Sequence, residues 1–215
     1  MPGMKTLLKN TPNKTDKQNK LRHIVISTMG HMLGSFSGNP GAIKDDIVEI
    51  INLIASMQGT LAEDDNQHRA ILEVYDAMLA ALKSEFVPFM DKLMDQLIRC
   101  ASRKISLTAT DSYNQGKTAP INEQVGSSIE VDLKMLGGKK ILSLNPCIVE
   151  QKVQAFHVAC NVFKHLKKDA RPYFPQLLEL FVSHANYKLS RPIIAYTQKA
   201  VFHILNALDT EEEMA

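Results

Sequence analysis

Apolar residues recur three and four positions apart in stretch after stretch of this chain, the spacing that places them on one face of an α-helix. Two of these stretches are copies of one another. VPFMDKLMDQLIRCA, from Val87, aligns without gaps on RPYFPQLLELFVSHA, from Arg171, so that Pro88 falls on Pro172, Phe89 on Tyr173, Leu93 on Leu177, Leu97 on Phe181 and Ala101 on Ala185, 84 positions on. A looser third copy, AIKDDIVEIINLIAS from Ala42, sets Ile43, Ile47, Ile51 and Ala55 against Phe89, Leu93, Leu97 and Ala101, 46 positions earlier.

A period of forty-odd residues with one helix pair in each predicts an all-α fold, a right-handed α-solenoid of HEAT repeats built from antiparallel helix hairpins. Residues 1–19 read as the end of a preceding repeat with its linker, around the short apolar group Met4, Leu7 and Leu8. Residues 20–57, 66–102 and 146–186 read as HEAT repeats, and 190–208 as the first helix of a truncated one, so that the chain is expected to be a fragment of a longer array. The predicted helices are Lys17–Leu33, Ala42–Met57 after the turn GSFSGNPG, His68–Lys83, a helix from Pro88 to Ser102, a helix from Asn145–Pro146, one from Pro172, and Ser190–Leu208. Asp64, Asp65 or Asn66 is placed to cap the third of these, and Asn145 with Pro146 to start the fifth.

Residues 103–145, rich in Ser, Thr, Asn, Gln and Gly, break the pattern and read as one long, largely flexible inter-repeat loop. Within it, SIEVDLKML (Ser128–Leu136) alternates strongly enough to dock as an extended segment or a short helix.

Composition narrows the function classes. With 45% hydrophobic residues the chain folds, and a net charge of +2, concentrated between Lys5 and Arg22, is too small for a nucleic-acid surface. No run of about 18 apolar residues is present to cross a membrane. Three unpaired cysteines, Cys100, Cys147 and Cys160, suit a reducing compartment.

Local candidates for chemistry are weak. DSYNQGKT (Asp111–Thr118) ends like a phosphate-binding loop, but Asp111 stands where that loop needs Gly and no buried strand is predicted before it. His157, Cys160 and His165 share a helix, but at steps of three and five residues they do not share a face. His23, His31, His184 and His203 suggest no local triad, and the methionines read as core filler. The expectation is no enzyme, no metal and no cofactor.

Stacking the repeats exposes a different feature. Glu49, Asp95 and Glu179 occupy one position in three successive second helices, and Asp45 and Asp91 are equivalent one turn earlier on the same polar face. In a HEAT array the second helices line the concave side, so these carboxylates are expected to form an acidic column that contacts the Lys or Arg residues of an extended partner.

AEDDNQHRAILEVYDAMLAALKSEFVPFMDKLMDQLIRCAS (Ala62–Ser102) and NPCIVEQKVQAFHVACNVFKHLKKDARPYFPQLLELFV (Asn145–Val182), with the long loop between them, resemble the importin-beta superfamily (karyopherins), nearest its importin beta-3, or Ran-binding protein 5, branch. The resemblance implies the central part of a receptor that imports cargo with basic localisation signals, is regulated by Ran-GTP, touches phenylalanine-glycine nucleoporins and shuttles between cytoplasm and nucleus through nuclear pores. It implies no catalytic residue and no cofactor, while the small charge and the lack of a long apolar run predict no nucleic-acid or membrane partner. The alternative is a structural HEAT scaffold such as a phosphatase regulatory subunit.

Overall fold

The computed structural model describes residues 1–35, 41, 44–105, 107–111, 128–133, 138–187 and 190–209, with backbone alone for 107–111, 128–133, 138–144 and 207–209. Its order is α1 (Pro2–Asn10), α2 (Asp16–Ser35), α3 (Lys44–Gln58), α4 (Gln67–Leu82), α5 (Met90–Ala101), β1 (Leu107–Asp111), β2 (Ser128–Leu133), β3 (Gly138–Leu144), α6 (Pro146–Leu166), α7 (Phe174–Ser183) and α8 (Arg191–Asp209). The hairpins are α2–α3, α4–α5 and α6–α7. Ala42, Ile43 and most of the turn before them, Phe36–Pro40, lie outside the described residues.

First helices stack on first helices: α4 packs against α2 on one side and α6 on the other, and α6 against α8. Along α3 the buried set Ile47, Ile50, Ile51 and Ile54 follows the i, i+3, i+4, i+7 stripe, and α5 repeats that spacing with Met90, Leu93, Met94 and Leu97. The apolar residues form one continuous core from Leu8 to Ala200 rather than a closed centre. Gly30 lets α2 approach α4 closely, since a Cβ there would lie 3.3 Å from Val74 Cγ2. The second and third hairpins each add an aromatic lock: Tyr75 meets Phe86 edge-on at 6.4 Å, and Phe156 meets Phe181 at 5.7 Å.

Pro88 and Pro172 do not open α-helices. They sit inside 3-10 turns, Lys83–Phe89 and Lys167–Tyr173, that precede α5 and α7. The cause is the chain reversal: a tighter turn with three residues per rotation directs Phe86 and its counterpart Ala170 into the core, both fully buried. Elsewhere the helix starts follow local chemistry. Asn145 accepts a bond from the Cys147 N–H at 3.0 Å with Pro146 in the first turn, and the acceptor before α4 is Asp65, whose Oδ1 takes the Gln67 N–H at 2.8 Å.

The long loop contains an antiparallel sheet of order β1-β3-β2, with Leu107 opposite Leu144 and Ile129 opposite Leu142. The β-branched and aliphatic residues that alternate in LTATD, SIEVDL and GKKILSL account for it. Ser128–Leu133 of the alternating segment is strand, and Lys134–Leu136 lies outside the described residues.

Both hairpin turns begin at a lysine with left-handed backbone, Lys83 at φ 50, ψ −126 and Lys167 at φ 49, ψ −120. A side chain there costs roughly 1–3 kcal/mol. Replacing either lysine by Gly relieves that strain but frees the unfolded chain, for a net gain of about 1 kcal/mol and a Tm rise of about 2–4 °C. Thermal denaturation of Lys83→Gly and Lys167→Gly beside the Ala variants, which keep the Cβ and gain nothing, checks this.

Candidate peptide-binding face

The second helices α1, α3, α5 and α7 are joined side to side by polar contacts that follow the repeat. Lys5 of α1 reaches Asp46 of α3 at 2.6 Å and also bonds Glu49, which takes Lys9 as well. In the next rung Lys92 of α5 bonds Asn52 of α3 at 2.7 Å, and Lys44 pairs with Glu85 at 2.9 Å. Between α5 and α7 the Tyr173 hydroxyl donates to Asp91 at 3.1 Å.

The five acidic positions therefore differ in their use. Glu49 is engaged inside the molecule, and the lysine beside it holds its carboxyl below the usual range. Asp91 accepts from Tyr173, and the hydroxyl is pushed up first by burial and then by that carboxylate. Asp45, Asp95 and Glu179 are exposed, and none of the three takes part in an ion pair among the described residues.

Behind this face runs a buried polar seam that the spacing of apolar residues does not announce. Arg22 donates to Gln67 Oε1 at 2.9 Å and to the Thr11 carbonyl at 2.6 Å; Arg103 likewise donates to Gln151 Oε1 and to the Glu63 carbonyl. Gln67 and Gln151 are both fully buried and occupy equivalent positions, 84 apart, in α4 and α6. Each arginine thus ties a chain segment that follows a second helix to the start of a first helix. The sequence signal was the repeated Gln, visible only once the repeats are aligned.

His68, next to Gln67, is fully buried. Its Nε2 lies 3.0 Å from the Ala62 carbonyl and its Nδ1 2.9 Å from the Gln96 amide nitrogen, so the neutral ring donates at Nε2 and accepts at Nδ1. Burial, and then the charge of Arg103, lowers its pKa to about 4.

The other candidates have ordinary surroundings. Burial pushes the Cys100 and Cys147 thiols up to about 11, away from nucleophilic range, and raises Cys160. His157 stacks on Tyr196 with ring centres 5.0 Å apart and does not converge with Cys160 and His165 on a metal site; no such cluster occurs among the described residues. A strand, β1, runs up to Asp111, with its backbone alone described, whereas Ser112–Thr118 lies outside the described residues. Met29, Met78, Met90 and Met94 are core residues.

No protein-family model matches this sequence, and no curated protein does. Solved structures do match. A crystal structure of Kap121p bound to Ste12p resembles 99% of this chain with a TM-score of 0.69 and 16% identity, over 19% of that protein. A further Kap121p crystal structure covers 100% of this chain at TM-score 0.68. One of the karyopherin Kap121p bound to the extreme C-terminus of the protein phosphatase Cdc14p covers 96%, at TM-score 0.55 and 11% identity. The chain spans about a fifth of the length of the protein matched first. The likeness defines the fold, an α-solenoid of stacked helix hairpins.

The neutral His68 makes the array sensitive to acid. Its folded pKa of about 4 lies below the ordinary 6.5, so the unfolded chain binds the extra proton. The stabilisation is full above about pH 6.5 and is lost as pH falls towards 4, by no more than about 2–3 kcal/mol. Urea unfolding between pH 7 and pH 4 is expected to show this slope, and His68→Gln to flatten it.

Proposed function

We propose that this chain is a segment of a karyopherin-type nuclear transport receptor of the importin beta-3 kind, a non-catalytic protein that binds basic segments of cargo along its second-helix face. The observation that carries this reading is the fold match to Kap121p over 99% of the chain, in a crystal structure where Kap121p is bound to Ste12p. Kap121p has also been solved bound to Pho4p and to Nup53p, which supports protein partners for an array of this shape. The exposed carboxylates of Asp45, Asp95 and Glu179 supply the complementary charge for lysine-rich ligands. In the whole receptor this role brings regulation by Ran-GTP, contact with phenylalanine-glycine nucleoporins, and movement between cytoplasm and nucleus.

A structural scaffold, such as a phosphatase regulatory subunit, is the second reading. It draws on Glu49 and Asp91, whose carboxylates hold neighbouring helices together rather than face an open site.

A titration with a lysine-rich localisation peptide at low and physiological salt separates the two. Cargo binding predicts an affinity that weakens with salt and falls about tenfold or more in the Asp95→Lys, Glu179→Lys double variant. Glu49→Gln is expected to change binding little, because that carboxylate is already paired. Equal affinity for lysine-rich and serine-substituted peptides would leave the scaffold.

A further inference from the structure

On the opposite, first-helix side, α6 and α8 enclose a groove of about 690 Å³. Its floor is rigid: His157 lies flat on Tyr196, 9° from parallel, and Asn161 donates to Asp76 Oδ1 at 2.8 Å while lying 3.0 Å from His157 Nε2. Asp76 is therefore already engaged from below.

The rim carries the opposite sign. Lys164 of α6 and Lys199 of α8 are both exposed, and neither has an ion-pair partner among the described residues. Lys199 extends over the Tyr196 ring, 5.8 Å from its centre, and so stays at the groove. The fields of the two lysines converge: after burial, both hold His203 below its usual range, and both oppose the rise that burial imposes on the Cys160 thiol. Beside them Phe202 leaves 61% of its surface exposed, a large apolar ring next to unmatched cations.

We propose that this groove docks an acidic peptide segment carrying an aromatic anchor, its carboxylates on Lys164 and Lys199 and its ring against Phe202. Charge complementarity selects the occupant: a basic segment meets two lysines, and an uncharged one leaves both without a partner. The size suits a few side chains, within the ordinary 300–1,000 Å³ range of binding clefts. The site is independent of the acidic second-helix face, so one protein holds a basic segment on one side and an acidic segment on the other. Its success or failure does not depend on the nuclear-transport reading.

Fluorescence anisotropy of the full chain with a labelled peptide of Asp and Glu around a single Phe tests this, beside versions with the acids changed to Ser and to Lys. The acidic peptide is expected to bind at least about tenfold tighter than the Ser peptide at low salt, and to weaken as salt rises. Lys164→Glu with Lys199→Glu removes that preference, and Phe202→Ala lowers affinity severalfold. Both lysines are exposed, so a melting curve like that of the parent confirms that the charge-reversed protein is folded. Asp95→Lys with Glu179→Lys leaves this binding in place, which separates the two faces. The proposal is overturned by equal affinity for acidic and Ser peptides, by undiminished binding in the folded charge-reversed variant, or by no binding of the acidic peptide.

Discussion

A helix hairpin of some forty residues cannot cover both sides of its own apolar stripe; its neighbour covers what it leaves open. The contact on which this chain depends is therefore the stacking of α2 on α4, α4 on α6 and α6 on α8, which runs one core from end to end. At α2 the approach is close: a Cβ on Gly30 would lie 3.3 Å from Val74 Cγ2, tight enough that the valine would have to give by a few tenths of an ångström. Burying each large apolar side chain contributes about 1.5–3 kcal/mol, but such burial slides easily along a helix and specifies register weakly. The polar seam supplies the register. An arginine that must satisfy both a Gln amide and a chain carbonyl, as Arg22 does with Gln67 and Thr11, has one position along the stack where both are met.

Much of this array was legible from an offset of 84 residues. The offset that joins Leu93 to Leu177 also joins Lys83 to Lys167 in left-handed backbone, Phe86 to Ala170 in the core, and Gln67 to Gln151 in the seam. Periodicity reports which face is buried, so the helices could be placed to within a few residues. It does not report the path between helices, and for that reason Pro88 and Pro172 were assigned to α-helical first turns instead of 3-10 turns. The sheet was hidden for another reason. Its strands are only five to seven residues long; β2 and β3 are neighbours in sequence, Leu133 opposite Gly138, but β1 pairs with β3 across a long gap, Leu107 opposite Leu144, so no local window contains the partner that makes β1 a strand.

The acidic face shows how far equivalent positions can be trusted. Repeat alignment sets Glu49, Asp95 and Glu179 at like positions, but a position's use depends on what the preceding repeat presents to it. Lys5 and Lys9 stand next to Glu49, in a short helix whose sequence gives few apolar clues to its place in the stack.

Comparing successive rungs explains why the remaining carboxylates are open. In the first, the cation lies on the earlier helix, at Lys5, and the acid on the later, at Asp46. In the second the polarity is changed: Asn52 takes the place of the lysine, and Lys92 stands where the alignment puts Asp46. A neutral amide cannot neutralise a carboxylate, so Asp95, the counterpart of Glu49, has no cation supplied from the helix before it. In the third, the counterpart of Asn52 is Ile98, a partly exposed apolar residue with no donor to offer Glu179. Among the described residues internal neutralisation thus falls away from α3 to α7, and Asp95 and Glu179, towards the α5–α7 end of the face, stand without an ion pair.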